Sequence, residues 1–509
     1  MNKRTKHIKY AEGYIVRNQL LLRLITVISL LLAVSVSSGI LYAQETKRRV
    51  TGTITDQSGE VLIGVNVRIK GTNAGTVSDI DGKYAVMVPE NTVLQFSFVG
   101  FERQEIAVED RSVIDVVMEE EVLNTIEPAK YVILTSEQRD KANADNGFAF
   151  GMFREISKLQ GENTFFSPFS LNMAMGMLYN GASANTRKEM DIVLNTVGFS
   201  EFEFNNYYQT ISQELLAIDP TTEIAIANAI WYHKVFQVKE AFIETGKNFF
   251  DADIVALDFN DAKSVNFIND WCSSKTAGRI GNMVSHLNQD HRMILTNALY
   301  FKSKWEKEKK FDKEKTKPDD FTKNDQTKTK VNMMEQTTSL PYYADPYLQC
   351  VEMPYGNKAF SMIAILPPEE GNIDQLIDHL SSVKWDRITN EMKQQRVWLK
   401  IPRFKMECDL SLNQPLINTG IRQTFNGEFP NIANEDIPIS NVLQKNFVEV
   451  NEEGTEAAAI TNIMIVAYGI IRIPGGPIPF FANRPFLFLI REKSTGVILF
   501  IGRIDDPRE

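Results

Sequence analysis

The residues with chemistry to offer are few. Of five histidines, His7 falls in a basic leader, which leaves His233, His286, His291 and His379. His286 and His291 flank "LNQD" at a spacing of five, as two metal ligands can, but no third ligand accompanies them. Cys272, Cys350 and Cys408 have no metal-type spacing, and an odd number closes no full disulfide set, so buried free thiols are expected. "DIDG" at Asp79–Gly82 lacks the further oxygens and the twelfth-position glutamate of a calcium loop. It reads instead as a hairpin turn. No HExxH, GxSxG, phosphate-binding loop or GxGxxG occurs, and no serine sits in a nucleophile elbow. The residues themselves disfavour a hydrolase and call for no metal and no cofactor.

At 509 residues the chain is too long for one ordinary domain, and 43% apolar content with 31 Phe supplies a sizeable core. A formal charge of −10 argues against nucleic acid as the main partner, because phosphate binding wants a basic surface. Residues 1–43 differ from the rest of the chain: a basic "MNKRTKHIKYAEGYIVRNQLLLRL", an apolar "LITVISLLLAVSV" and small residues in "SSGILYA". That is the layout of a secretory signal peptide cut after Ala43. The apolar stretch is also just long enough to remain as an uncleaved anchor. With no cysteine in the leader, a lipid-modified cysteine at the cut is excluded.

The elements that must carry any site divide in two. Residues 48–119 alternate apolar and polar in "VTGTITD", "VNVRIKG", "KYAVMV", "VLQFSFVGF" and "VIDVVME", separated by Gly, Asp and Asn clusters. Such runs are half-buried strands joined by turns, and together they predict a small all-β sandwich. The stretch from "VTGTITDQSGEVLIGVNVRIKG" to "LQFSFVGFERQEI" resembles the carboxypeptidase-regulatory-like domain found ahead of TonB-dependent receptors in Bacteroidetes. The resemblance implies an accessory, non-catalytic module in a secreted or envelope setting, with an envelope partner for the sandwich. A receptor barrel would require hundreds of further residues in alternating strands, and the rest of the chain is helix-rich. Residues 120–140 read as a linker.

From 142 to 509 helical spacing appears in "NGFAFGMFREISKL", "SLNMAMGMLYNGASANTRKEMDIVL" and "VNFINDWCSSKTAGRI", the last stopping at Gly278. Strand patterns occupy "TEIAIANAIWYH", "RMILTNALYFKSKW", "LQCVEMPYG", "FSMIAILP", "RVWLKIPRF" and "RPFLFLIREKSTGVILFIGRI". This mixture predicts an α+β domain. Five stretches, in order, resemble the serpins: "NTFFSPFSLNMAMGMLYNGASANTRKEM", "FINDWCSSKTAGRIGNMV", "LTNALYFKSKWEKEKKFD", "FVEVNEEGTEAAAIT" and "FFANRPFLFLIREKSTGVILFIGRIDDP". The resemblance implies a large central sheet A, sheets B and C, about nine helices and an exposed reactive loop. It also implies a monomer that traps serine proteases as an acyl-enzyme when its cleaved loop inserts into sheet A.

The hinge of that loop would be Glu452, Glu453, Gly454, Thr455, Glu456, Ala457, Ala458 and Ala459. Gly454 tolerates backbone angles closed to other residues, so a bend fits there. Beyond it Thr455, Ala457, Ala459 and Thr461 share one face, with Glu456, Ala458 and Ile460 on the other. Small residues on the inner face let the segment enter a sheet without burying an unpaired charge. By propensity alone "EAAAI" reads equally as the first turn of a helix. By the resemblance, Ser167, Ser170 and Asn297 match the family's shutter, with Gln444 where a histidine is usual. Trp305 matches the breach tryptophan, and Glu452 a glutamate that commonly pairs with lysine. The reactive bond falls at Tyr468–Gly469, which fits chymotrypsin-like enzymes. A shift to Ala467–Tyr468 would fit elastase-like ones, and Arg472 would imply trypsin-like targets. A non-inhibitory serpin and an inhibitor of papain-like cysteine proteases are the competing readings.

Overall fold

The computed structural model describes residues 47–119, 128–455 and 476–508, apart from Asn73, Asn91, Val99, Gly100, Glu162, Val197, Ala277, Glu428 and Asp436. Residues 1–43, read as a signal peptide, and residues 120–127 of the stretch read as a linker lie outside these residues, as do Glu456, Ala457, Ala458, Ala459 and the candidate cleavage sites Ala467, Tyr468, Gly469 and Arg472.

Among the described residues the N-terminal module has seven strands: β1 (Arg48–Asp56), β2 (Asn66–Ile69), β3 (Gly75–Val77), β4 (Lys83–Val88), β5 (Val93–Ser97), β6 (Gln104–Ala107) and β7 (Val116–Met118). They form two sheets, β4-β1-β7 and β3-β2-β5-β6. Val50, Ile54, Val67, Val86, Leu94 and Phe96 meet between them as the core, as the alternation predicts. The Asp79 carboxylate accepts from the backbone N–H groups of Asp81 and Lys83, each at 2.9 Å. The turn is tight, the Gly82 amide donating to the Asp79 carbonyl at 2.9 Å and the Asp79 amide to the Lys83 carbonyl at 2.8 Å; because β3 pairs with β2 and β4 with β1, it also carries the chain from one sheet to the other.

The larger domain begins with α1 (Ser136–Gln160), which starts inside the stretch read as linker. Thr135 and Gln138 form a reciprocal capping box there. The polar first turns of this helix carry no apolar period to betray it. The next apolar run breaks at residues 182–183 into α2 (Pro168–Gly181) and α3 (Ala184–Val193). Then come α4 (Glu201–Ala217), α5 (Glu240–Phe250), α6 (Lys263–Lys275), α7 (Ile373–His379), α8 (Ser382–Glu391) and α9 (Asn413–Thr419).

The strands of this domain are β8 (Thr164–Phe166), β9 (Thr222–His233), β10 (Ala252–Leu257), β11 (Met293–Lys304), β12 (Lys317–Thr322), β13 (Lys328–Asp345), β14 (Leu348–Pro354) and β15 (Phe360–Leu366). They continue with β16 (Lys393–Pro402), β17 (Phe404–Ser411), β18 (Ile439–Val450), β19 (Gly454–Thr455), β20 (Ile478–Phe481), β21 (Phe486–Glu492) and β22 (Ile498–Ile504). One sheet runs β20-β16-β13-β14-β15-β21-β22-β8, with β12 on β13. The 18-residue β13 pairs with β16 along most of its length and with β14 at its end. The two smaller sheets implied by the resemblance are thereby joined.

The main sheet runs β10-β9-β11-β19-β18-β17. Its two faces are both covered, and the period of two sorts the side chains cleanly. Ile224 and Ile230 of β9, with Leu295, Leu299 and Phe301 of β11, point into the large core shared with α2, every residue of which is buried. Ala227, Ala229 and Trp231, with Ile294 and Ala298, point the other way, under Ile268 and Cys272 of α6.

Candidate functional site

At the upper end of the main sheet β18 stops at Val450 and the chain turns back through 451–453 into β19. The Asn451 amide donates to the Gly454 carbonyl at 2.9 Å, and the Glu453 amide donates to the Asn451 side chain at 3.0 Å. Thr455 pairs with Ser303 of β11 on one side and Val450 of β18 on the other. The bend assigned to Gly454 thus falls just before it, and Gly454 itself lies extended in the ladder. Glycine is required there by close approach, since a Cβ would sit 2.0 Å from the Ser303 carbonyl oxygen. Gly454 and Thr455, within the stretch matched to the hinge, are seated between β11 and β18. Thr455 is 1% exposed and its hydroxyl lies 2.5 Å from that of Tyr355.

Two layers of contacts fix this turn. Glu452 is buried and pairs with the Arg403 guanidinium, whose Nε donates at 2.6 Å, while the Thr316 hydroxyl donates to the same oxygen. Lysine was the expected partner. Arg403, on the connection from β16 to β17, takes that place, and its fixed fork suits a carboxylate that cannot be buried unpaired. The lysines go to Glu453 instead, Lys310 at 3.3 Å and Lys313 at 3.2 Å. Partial burial pushes the Glu453 carboxyl up, but the two ammonium groups outweigh it and hold it below the ordinary value. Trp305 donates from Nε1 to the Asn451 carbonyl and from its backbone to the Glu453 carbonyl, both at 2.8 Å. Its ring stacks on Tyr355 at 4.5 Å with 6° between planes.

Lower down, behind the sheet, the four residues matched to the shutter come together. Gln444 of β18 donates to the Asn297 side-chain oxygen at 2.7 Å and to the Ser167 carbonyl at 2.9 Å, and accepts from the Ser167 amide at 2.8 Å. Asn297 of β11 donates to the Ser170 carbonyl at 2.8 Å. Ser167 caps α2 by accepting from the Ser170 amide at 3.3 Å. Glutamine bridges the strand and the helix with both ends of its amide used. Two members were not anticipated. Asn228 of β9, directly opposite Asn297, accepts from it at 2.7 Å, and Asn446 donates to Gln444 at 3.0 Å. A lone amide inside each of the apolar runs "IANAIW" and "LTNALYF" was the signal for the first. All three cysteines are free and buried. The His286 and His291 rings are 6.0 Å apart, and no group of three or more His, Cys, Asp or Glu able to hold a metal occurs among the described residues.

Comparison with known proteins agrees with this geometry. The profile of the family described as Serpin (serine protease inhibitor) matches residues 143–507, and that of the CarboxypepD_reg-like domain matches residues 50–127. Iripin-1 of Ixodes ricinus is 33% identical over 372 residues, covering 71% of this chain and 93% of the relative. Serpin B3 of Homo sapiens is 33% identical over 392 residues, covering 72% and 99%. The native-state crystal structure of the thermophilic serpin tengpin superposes with a TM-score of 0.66 at 28% identity, over 75% of this chain and 97% of that one. Human thyroxine-binding globulin gives 0.65 at 25% identity, over 74% and 100%. This chain belongs to the serpin family, and it carries a CarboxypepD_reg-like domain ahead of the serpin fold.

Proposed function

We propose that this protein is a secreted suicide inhibitor of serine proteases, delivered by the signal sequence at its N-terminus. The seated hinge strand carries the reading. β11 pairs with β18 over residues 293–297 and with β19 at residues 303–304, so the loop enters the sheet at the place where a new middle strand would begin. A protease serine attacks the reactive bond and becomes esterified to the new C-terminus of the hinge segment. Release of the loop's far tether lets that segment zip downward between β11 and β18. About fourteen residues at ~3.3 Å each carry the ester about 46 Å. A dozen new ladder residues, at about 1 kcal/mol per hydrogen bond, stabilise the product on the order of 10 kcal/mol. The captive enzyme loses the alignment that deacylation needs.

Glu452 with Arg403, and Trp305 with Tyr355, would anchor the fixed end of the moving strand. Gln444 and its amide partners would let β11 and β18 part by exchanging hydrogen bonds. Tyr468–Gly469 is the favoured bond, with chymotrypsin-like targets. Ala467–Tyr468 with elastase-like targets and Arg472 with trypsin-like ones remain the alternatives to be read out. Incubation with one enzyme of each kind, and with a papain-like enzyme, followed by denaturing gels, tests the reading. A covalent adduct is expected, and the mass of the released C-terminal peptide fixes the bond. Complete cleavage with no adduct from any of them would reduce the loop to a substrate and overturn the proposal.

A further inference from the structure

The upper front of the main sheet, beyond the reach of α6, is roofed by the N-terminal sandwich. Register places Lys302 opposite Glu223 and Tyr300 opposite Ala225, all on the face away from the large core. The Lys302 ammonium lies 4.4 Å from the centre of the Phe98 ring. A cleft is lined by Asn66, Arg68 and Gly75 of the sandwich on one side and by Glu223, Lys275 and Tyr300 on the other. β3 also packs against α6. The sandwich reaches past the sheet as well. Arg68 is close enough to Asp251, at the end of α5, for their charges to interact, and it shares a second cleft with Gln209 and Leu216 of α4. Both α4 and α5 pack on α2, the helix behind the sheet.

Adding a strand between β11 and β18 moves β10, β9 and β11, with α6 on top of them, sideways by about one strand spacing, ~4.8 Å. α2 and the helices on it have no reason to follow. The sandwich touches both sides of that slip. We propose that it is a brace on the main sheet: docked across β9, β11, α6 and α4, it slows the separation of β11 from β18. The brace rests on the insertion reading proposed for the hinge. The insertion reading adds a consequence at the same place. Ser303 pairs with Thr455 and Lys304 with Gly454, so a strand inserted in that register would bring Glu456 opposite Lys302. The advancing hinge therefore offers a carboxylate to the very ammonium that holds Phe98.

The test uses the full chain and a synthetic peptide copying residues 455–466, whose incorporation is followed as a rise in Tm over time. Arg68→Glu, which leaves the sandwich core untouched, and Phe98→Leu, which keeps its bulk but removes the aromatic face, should each speed incorporation by about fivefold, the scale of one cation–π contact. Met87→Ser, on the exposed side of β4, should leave the rate at the wild-type value. Amide exchange in β1 and β4 checks that each variant keeps a folded sandwich. Rates in Arg68→Glu and Phe98→Leu within twofold of wild type would overturn the brace alone. Failure of the peptide to enter any of the proteins would overturn the insertion reading, and the brace with it.

Discussion

Gln444 holds a strand and a helix together with a single amide, and its removal should be felt. Gln444→Leu would orphan the Ser167 amide and the Asn297 oxygen in a buried setting, each worth about 1–3 kcal/mol. Denaturant unfolding should show a loss of about 2–4 kcal/mol. Glu453 gives a pH dependence of definite sign. Its carboxyl is held below the ordinary value of 4.5, so its contribution is present at neutral pH and is lost as pH falls through the depressed folded value. The Tm difference between wild type and Glu453→Gln should be largest near neutrality and fade in acid as pH drops through the depressed folded value. At this scale the sequence was a partial guide. Ser167, Ser170, Asn297 and Gln444 were found because the resemblance aligns them one by one. Arg403 was missed, because its pairing with Glu452 joins residues 49 apart in the chain, and no local pattern marks it.

The strands of the main sheet were the most legible elements. "TEIAIANAIWYH" coincides with β9 from end to end, because a strand buried on both faces writes a long apolar run. The three-residue β3 and the half-buried β6 left no such trace and were not read. The hinge strand was legible in composition but not in state: nothing in "GTEAAAIT" says that two residues are already paired in the native fold. That state makes the hinge sensitive in two separable ways. Gly454→Ala forces a Cβ onto the Ser303 carbonyl, so β19 should be expelled. Amide exchange at Ser303 should rise, with a stability loss of about 1–3 kcal/mol. Thr455→Arg places a guanidinium in the buried slot beside Tyr355 and should turn adduct formation into plain cleavage, because the strand stalls at its first step. Inhibition that survives this substitution undiminished would contradict the inward facing of Thr455.

For the molecule as a whole, the proposed insertion makes the main sheet an unfinished one that holds energy in reserve. Cutting the loop should raise Tm by about 10–15 °C, the equivalent of the gain of about 10 kcal/mol proposed for insertion. A nicked protein that melts with the intact one would show that the slot is not filled. The order of the two domains was plain in the sequence, but their mutual docking was not, since Phe98 and Lys302 carry no mark of each other. The layer formed by α6 on the main sheet also carries a sulfur. Cys272 lies on the inner side of α6 against the sheet, and burial pushes its thiol up to about 12, so at neutral pH it is sealed and unreactive. If α6 rides with β9 and β11 during insertion, the thiol stays covered, and a pulse of thiol reagent during inhibition should leave Cys272 unmodified; labelling would show the helix lifting off the sheet instead.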